Sequence, residues 1–246
     1  MKKFIQSESA VSESLSFALT LGIVLVSTAM VFYGGMPIVE QSQKTTHFIE
    51  MERSFIFISQ NIDKVARENA PVRNTELKIK GGTFRVSHDS SITVGDYTYE
   101  LGSIEYSYDD KTVAYENGGI FTKYPAYPED KVVMVSRPTF SLGTVTTIPA
   151  IELVGESDIS GEGIIRINSI HSTASSPLQR INATENVSLV IKSNYYQGWF
   201  EYLNENIKEP AGICHAPDNL TRSVTCSINS TIVNVDSDMI LIKMES

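Results

Sequence analysis

The sequence predicts an α+β protein in which a long N-terminal helix, half membrane-crossing and half amphipathic, packs on an antiparallel β-sandwich-like head. Three observations carry that prediction. Residues 15–39 hold no charged side chain. Apolar residues from Phe48 to Val65 recur at spacings of three and four, and from Thr75 onward hydropathy alternates with period two between turn signals. The first period belongs to a helix buried along one stripe, the second to strands buried on one face.

The apolar run comes first. No Asp, Glu, Lys or Arg stands between Glu13 and Glu40. At about 1.5 Å per residue a helix over 15–39 is roughly 35–40 Å long, enough to cross a hydrocarbon core of about 30 Å with some tilt. Lys2 and Lys3 precede the run and the next basic residue is Lys44, so the positive-inside rule leaves the N-terminus in the cytoplasm and the C-terminal body outside. A cleavable secretory signal would have an apolar core of only about 7–15 residues. Gly34-Gly35-Met36-Pro37 marks a kink, because Pro37 lacks an amide proton and crowds the preceding turn.

Beyond Glu40 neither Gly nor Pro occurs until Pro71. Phe48, Met51, Phe55, Ile58, Ile62 and Val65 form one apolar stripe, widened by Ile49 and Ile56 beyond a strict coiled-coil seam. The helix should end before Pro71, which disfavours a helical Ala70. The expected helix therefore covers 11–70, with its transmembrane part at about 15–39.

Strand-like runs follow at Leu77 and Ile79, then over 84–86, 92–94, 97–101, 104–108 and 112–115. Turn signals separate them at Gly81-Gly82, Gly95-Asp96, Asp109-Asp110 and Asn117-Gly118-Gly119. Asn117-Gly118 allows the positive φ of a tight hairpin joining 112–116 to 120–123. Strands continue over 132–136, 146–154, 163–171 and 187–191. Residues 172–180 are the best linker candidate, where the head spanning 75–246 would subdivide. Tyr195, Tyr196, Trp199 and Phe200 form an aromatic cluster whose bland reading is core and whose functional reading is sugar stacking. A hairpin of 223–228 against 231–235 and a last strand over 239–244 close the chain.

The formal net charge of −9 argues against nucleic acid as a partner, because binding phosphates requires a basic patch. Cys214 and Cys226 read as one disulfide closing a short loop, the alternative being two free thiols. Asn182, Asn186, Asn219 and Asn229 each head an N-glycosylation acceptor triplet. Their grouping beyond the membrane run agrees with an extracellular body. His47, His88, His171 and His215 show no metal-ligand spacing, and neither a nucleophile elbow nor a phosphate-cradling loop occurs. Asp109-Asp110 and Asp236-Ser237-Asp238 read as turn carboxylates rather than a calcium loop. No catalytic residue, metal, cofactor or small-molecule substrate is expected, and the protein is read as non-enzymatic.

A short basic leader joined directly to a long apolar helix through Ser9-Ala10-Val11-Ser12-Glu13-Ser14-Leu15-Ser16-Phe17 resembles the class III signal of archaeal type IV pilins and pilin-like surface proteins. Glu52-Arg53-Ser54-Phe55, Asn61-Ile62-Asp63, Thr75-Glu76-Leu77, the run from Val113 to Ile120 and Tyr195 to Leu203 are similar to stretches of an archaeal family of pilin-like membrane-anchored proteins of largely unassigned function. The resemblance implies a leader over 1–10 cut by prepilin peptidase between Ala10 and Val11. It implies assembly through the freed helix, with Glu13, Leu15, Phe17 and Leu19 at its head. In two respects this chain departs from the pattern: Ala10 stands where glycine is common, and Glu13 would be the third mature residue rather than the fifth. The expected function is a pilin-like subunit or minor component of a surface filament, self-assembled or built with other pilins. The alternative is an uncleaved single-pass tether presenting an extracellular binding module.

Overall fold

The computed structural model describes residues 5–68, 70–155, 158–173, 178–182, 186–208 and 212–245, with side chains from Glu13 onward. Its residues divide into two units, 1–49 and 50–246.

The first unit is helical throughout its described part and belongs to α1 (Ile5–Arg67). The helix runs through Pro37, whose missing N–H removes one bond from the ladder without ending it. Thr20 and Thr28, inside the apolar run, each donate their hydroxyl to the carbonyl four residues earlier, Ser16 at 2.7 Å and Val24 at 2.8 Å. Such back-bonding satisfies each of these two hydroxyls within its own helix. Large apolar side chains from Leu15 to Val39 stay exposed, Phe17 at 71% and Phe32 at 63%.

In the second unit α1 continues to Arg67, three residues short of the predicted end, and Lys64 closes it by accepting from Glu68 and Ala70 N–H. The predicted stripe is its buried face: Met51, Phe55, Ile58, Ile62 and Val65 are all at most 2% exposed. It packs on a nine-stranded sheet. Phe55 stacks on Phe84 at 5.8 Å, Asn61 Nδ2 donates to Thr75 Oγ1, and Glu52 Oε1 accepts from Thr122 Oγ1 at 2.7 Å.

That sheet contains β1 (Val72–Ser87), β4 (Ser103–Tyr108), β5 (Lys111–Glu116), β6 (Gly119–Tyr124), β7 (Lys131–Ser136), β8 (Val145–Val154), β9 (Asp158–His171), β10 (Gln179–Asn182) and β14 (Ile232–Glu245). A five-stranded sheet contains β2 (Ser91–Val94), β3 (Tyr97–Glu100), β11 (Val187–Lys192), β12 (Gly212–Cys214) and β13 (Ser223–Ile228). α2 (Tyr196–Asn206) follows β11. The larger sheet is thus covered on both faces, by α1 on one and by α2 with the smaller sheet on the other. β5 shows this: Val113 and Tyr115 alternate with Ala114 and Glu116, and all four are buried. The sandwich core gathers Ile92, Phe121, Leu189, Trp199, Leu203 and Val224, among others.

Three expectations are corrected. Gly81-Gly82 is a β-bulge inside one long strand, β1, where the register against β9 slips between Lys80 and Thr83. Both glycines have positive φ, and a Cβ at Gly82 would lie 2.6 Å from Ser107 O and 2.8 Å from the Tyr106 ring. The 223–228 and 231–235 segments do not pair: β13 belongs to the smaller sheet and β14 to the larger. Ser230 turns the chain between them by bonding Thr146 Oγ1 and Gly143 O, both at 2.7 Å. β14 then runs unbroken over both predicted strands and pairs with β8 in parallel, whereas the other strand pairs among the described residues are antiparallel. Of the linker candidate, 174–177 lies outside the described residues; Arg180 stands in β10 and pairs with β14.

Candidate functional site

The expected filament residues lie on α1. Glu13, Leu15, Phe17 and Leu19 are exposed, while Ala10 and Val11 belong to the helix with their side chains outside the described part. Among the described residues one helix is long and apolar enough to cross a membrane, with a mean hydropathy of 2.2 in its best window and none of that window buried.

The cysteines are joined. Cys214 faces Cys226 across the β12–β13 pair and the two form a disulfide. Asn182, Asn186, Asn219 and Asn229 are all exposed. Thr184, which completes the first triplet, lies outside the described residues. Tyr196 OH donates to Asn219 Oδ1 at 3.1 Å.

The aromatic cluster is core. Trp199 is fully buried, packed against Phe121 at 5.3 Å, Phe140 at 5.7 Å and Tyr202 at 6.2 Å. Its indole N–H donates to Glu116 Oε1 at 2.7 Å. Glu116, a strand end before a turn by its sequence, is a carboxyl only 1% exposed. Burial pushes its pKa up to about 7, opposed by hydrogen bonds from Ser193, Trp199 and Ser90 and reinforced by nearby Glu105. Glu105 in turn accepts from Tyr195 OH at 2.8 Å and Ser103 Oγ at 3.1 Å.

Asn117, next in the chain, has φ 46° and begins the predicted hairpin turn with Gly118 at φ 83°. Its side chain does more than the turn requires. Nδ2 donates to Pro149 O and Oδ1 accepts from Ile151 N, both at 2.9 Å, so the turn residue fixes β8.

The two serines on Glu116 reach outward to a surface groove of about 840 Å³. Its floor is one row of outward residues across the smaller sheet, Ser223, Lys192, Ser91 and Glu100, paired in register. Val190 and Thr93 lie in the next row. Its wall is the loop over 220–222. The Asp218 carboxylate ties that loop by accepting from Thr221 Oγ1 and the Leu220 N–H, bonds that hold its pKa below the usual carboxylate range. Arg222 sits at φ 52°, with its carbonyl accepting from Ser193 N–H and its guanidinium on Asn194 Oδ1 at 2.7 Å. Asn194 and Arg222 also line a smaller neighbouring cleft of about 320 Å³, shared with Asn219 and Gln197. Among the described residues no group of three His, Cys, Asp or Glu side chains could hold a metal ion; Asp238 lies 3.7 Å from His171 Nε2.

A family model described as a family of unknown function, DUF7289, matches residues 10–241. The chain belongs to this family. Among curated proteins and solved structures nothing matches the chain. The DUF7289 match takes in both the apolar run and most of the head.

Proposed function

We propose that this protein is a non-enzymatic cell-surface component, a pilin-like subunit or minor component of a type IV pilus-like filament, held first in the membrane and then assembled through its N-terminal helix. The observation that carries the reading is the exposed apolar surface of residues 15–39. A surface so apolar requires a partner other than water, and the hydrophobic effect acts along its whole length. A bilayer supplies one such partner, and identical helices bundled side by side supply another. Lys2 and Lys3 set the direction, leaving the head outside the cell. The head carries its own core, a disulfide suited to an oxidising compartment and four exposed acceptor asparagines. The resemblance of the leader and the first helical residues to archaeal class III signals supports release from the membrane by prepilin peptidase. The test is the mature N-terminus, read by mass spectrometry in cells with and without that peptidase. Peptidase-dependent chains beginning at Val11 are expected. Chains retaining Met1 in both strains would leave only a tether.

A further inference from the structure

The groove on the smaller sheet is built with more constraint than a solvated face needs. Arg222 is a non-glycine residue in the left-handed region, a conformation that costs free energy and persists only where its surroundings enforce it. The enforcement is visible. Ser193 N–H bonds the Arg222 carbonyl, Asn194 holds the guanidinium, and the Asp218 carboxylate ties the preceding turn. Ser193 is itself anchored from beneath, its hydroxyl accepting from Tyr195 N–H and bonding buried Glu116. A core carboxyl, a loop and one of the groove's cations are therefore one connected unit.

The lining selects a ligand class. Lys192 and Glu100 stand in one row on either side of Ser91, and neither forms an ion pair among the described residues. With Asn194 and Arg222 they supply an ammonium, a carboxylate, an amide and a guanidinium. The last three each present two adjacent polar atoms, suited to neighbouring hydroxyls that donate and accept together. Val190 in the floor and Leu220 at the rim, 93% exposed, give apolar surface for the C–H face of a ring. Glu100 and Asp89 in the same groove, and the net charge of −9, disfavour a phosphate or other polyanion. A volume of about 840 Å³ is in the range of small-molecule sites.

We propose that this groove is a saccharide-binding site, with Lys192, Glu100, Asn194 and Arg222 contacting hydroxyls and Val190 and Leu220 packing against a sugar ring. The proposal does not depend on the filament reading, since it needs neither cleavage nor assembly. The saccharide has two sources: a chain from outside, or a glycan on Asn219, which lines the cleft sharing Asn194 and Arg222 with the groove.

Hydrogen exchange on the full-length protein, in a detergent without a sugar headgroup, tests the site. N219Q produced in a host without N-glycosylation is mixed with neutral tetrasaccharides of glucose, galactose and N-acetylglucosamine. Exchange roughly threefold slower in 190–194 and 218–223 with one of them supports the site with an outside ligand. In parallel, native glycosylated protein is compared with N219Q from the same cells. Slower exchange in those segments without added sugar supports the site with its own glycan. R222A and the milder E100Q, both checked for folding by Trp199 fluorescence, should abolish whichever protection is seen. If no saccharide slows exchange and the native protein matches its N219Q variant, the proposal is overturned. Protection that survives both R222A and E100Q would overturn it equally.

Discussion

Glu116 offers the sharpest perturbation in the head. Its carboxyl is buried beside Trp199, and burial raises its pKa from 4.5 to about 7. The sign follows from proton counting. Below pH 4.5 the group is protonated in folded and unfolded chains alike and costs nothing. Between 4.5 and about 7 the unfolded chain releases its proton while the folded head keeps one, so stability falls as pH rises; above about 7 the loss is complete. A difference of that size corresponds to roughly 3 kcal/mol. Glu116→Gln is uncharged at every pH and keeps an oxygen to accept from the Trp199 indole. The variant should match wild type near pH 4 and exceed it by roughly 3 kcal/mol at pH 8. Burial also raises Asp63, Glu152 and Asp238, which tilt stability the same way, but they are common to both proteins and cancel in the difference. Guanidinium unfolding of the full chain in micelles, followed by fluorescence of its single tryptophan, measures both curves. A wild-type-to-variant difference that stays constant from pH 4 to 8 would refute the reasoning.

Removing the Cys214–Cys226 bridge as a double serine variant should cost roughly 2–3 kcal/mol, measured as a lower guanidinium midpoint. With only three residues in β12, the fastest gain in hydrogen exchange should fall there. Gly82→Ala should destabilise by roughly 1–3 kcal/mol, because its positive φ and the closeness of Ser107 O and the Tyr106 ring both oppose a Cβ; calorimetry reads this as a lower Tm. Phe55→Ala, emptying the contact between α1 and the larger sheet, should cost roughly 3–5 kcal/mol in the same denaturant assay.

Much of the fold was legible where the rule is local. The stripe from Met51 to Val65 gave the buried face of α1, and the Asn117-Gly118 step gave a hairpin with both residues at positive φ. Distant pairings were not legible. Asn229-Ser230 looks like a tight turn, yet Ser230 bonds residues 84 and 87 positions away, which sends β14 to the other sheet and alongside β8. Gly81-Gly82 carries turn chemistry, yet the pairing of β1 with β9 continues on both sides of it, and the Tyr106 hydroxyl bonds Gly81 O at 2.7 Å. The groove was hidden for the same reason. Arg222 reads as one basic residue in a polar loop until Asn194, 28 positions earlier, is brought beneath it. Glu116 gave no signal either, because a carboxylate before Asn-Gly reads as solvated, and its burial depends on α2 arriving from 83 residues downstream.

The central claim is that residues 15–39 pass from a membrane into an assembly of like helices. Mass spectrometry of filaments sheared from the cell surface tests it most directly. The account predicts this chain in the sheared fraction, beginning at Val11 and absent from that fraction in cells lacking prepilin peptidase. A chain found only in the membrane pellet, with Met1 intact, would contradict it.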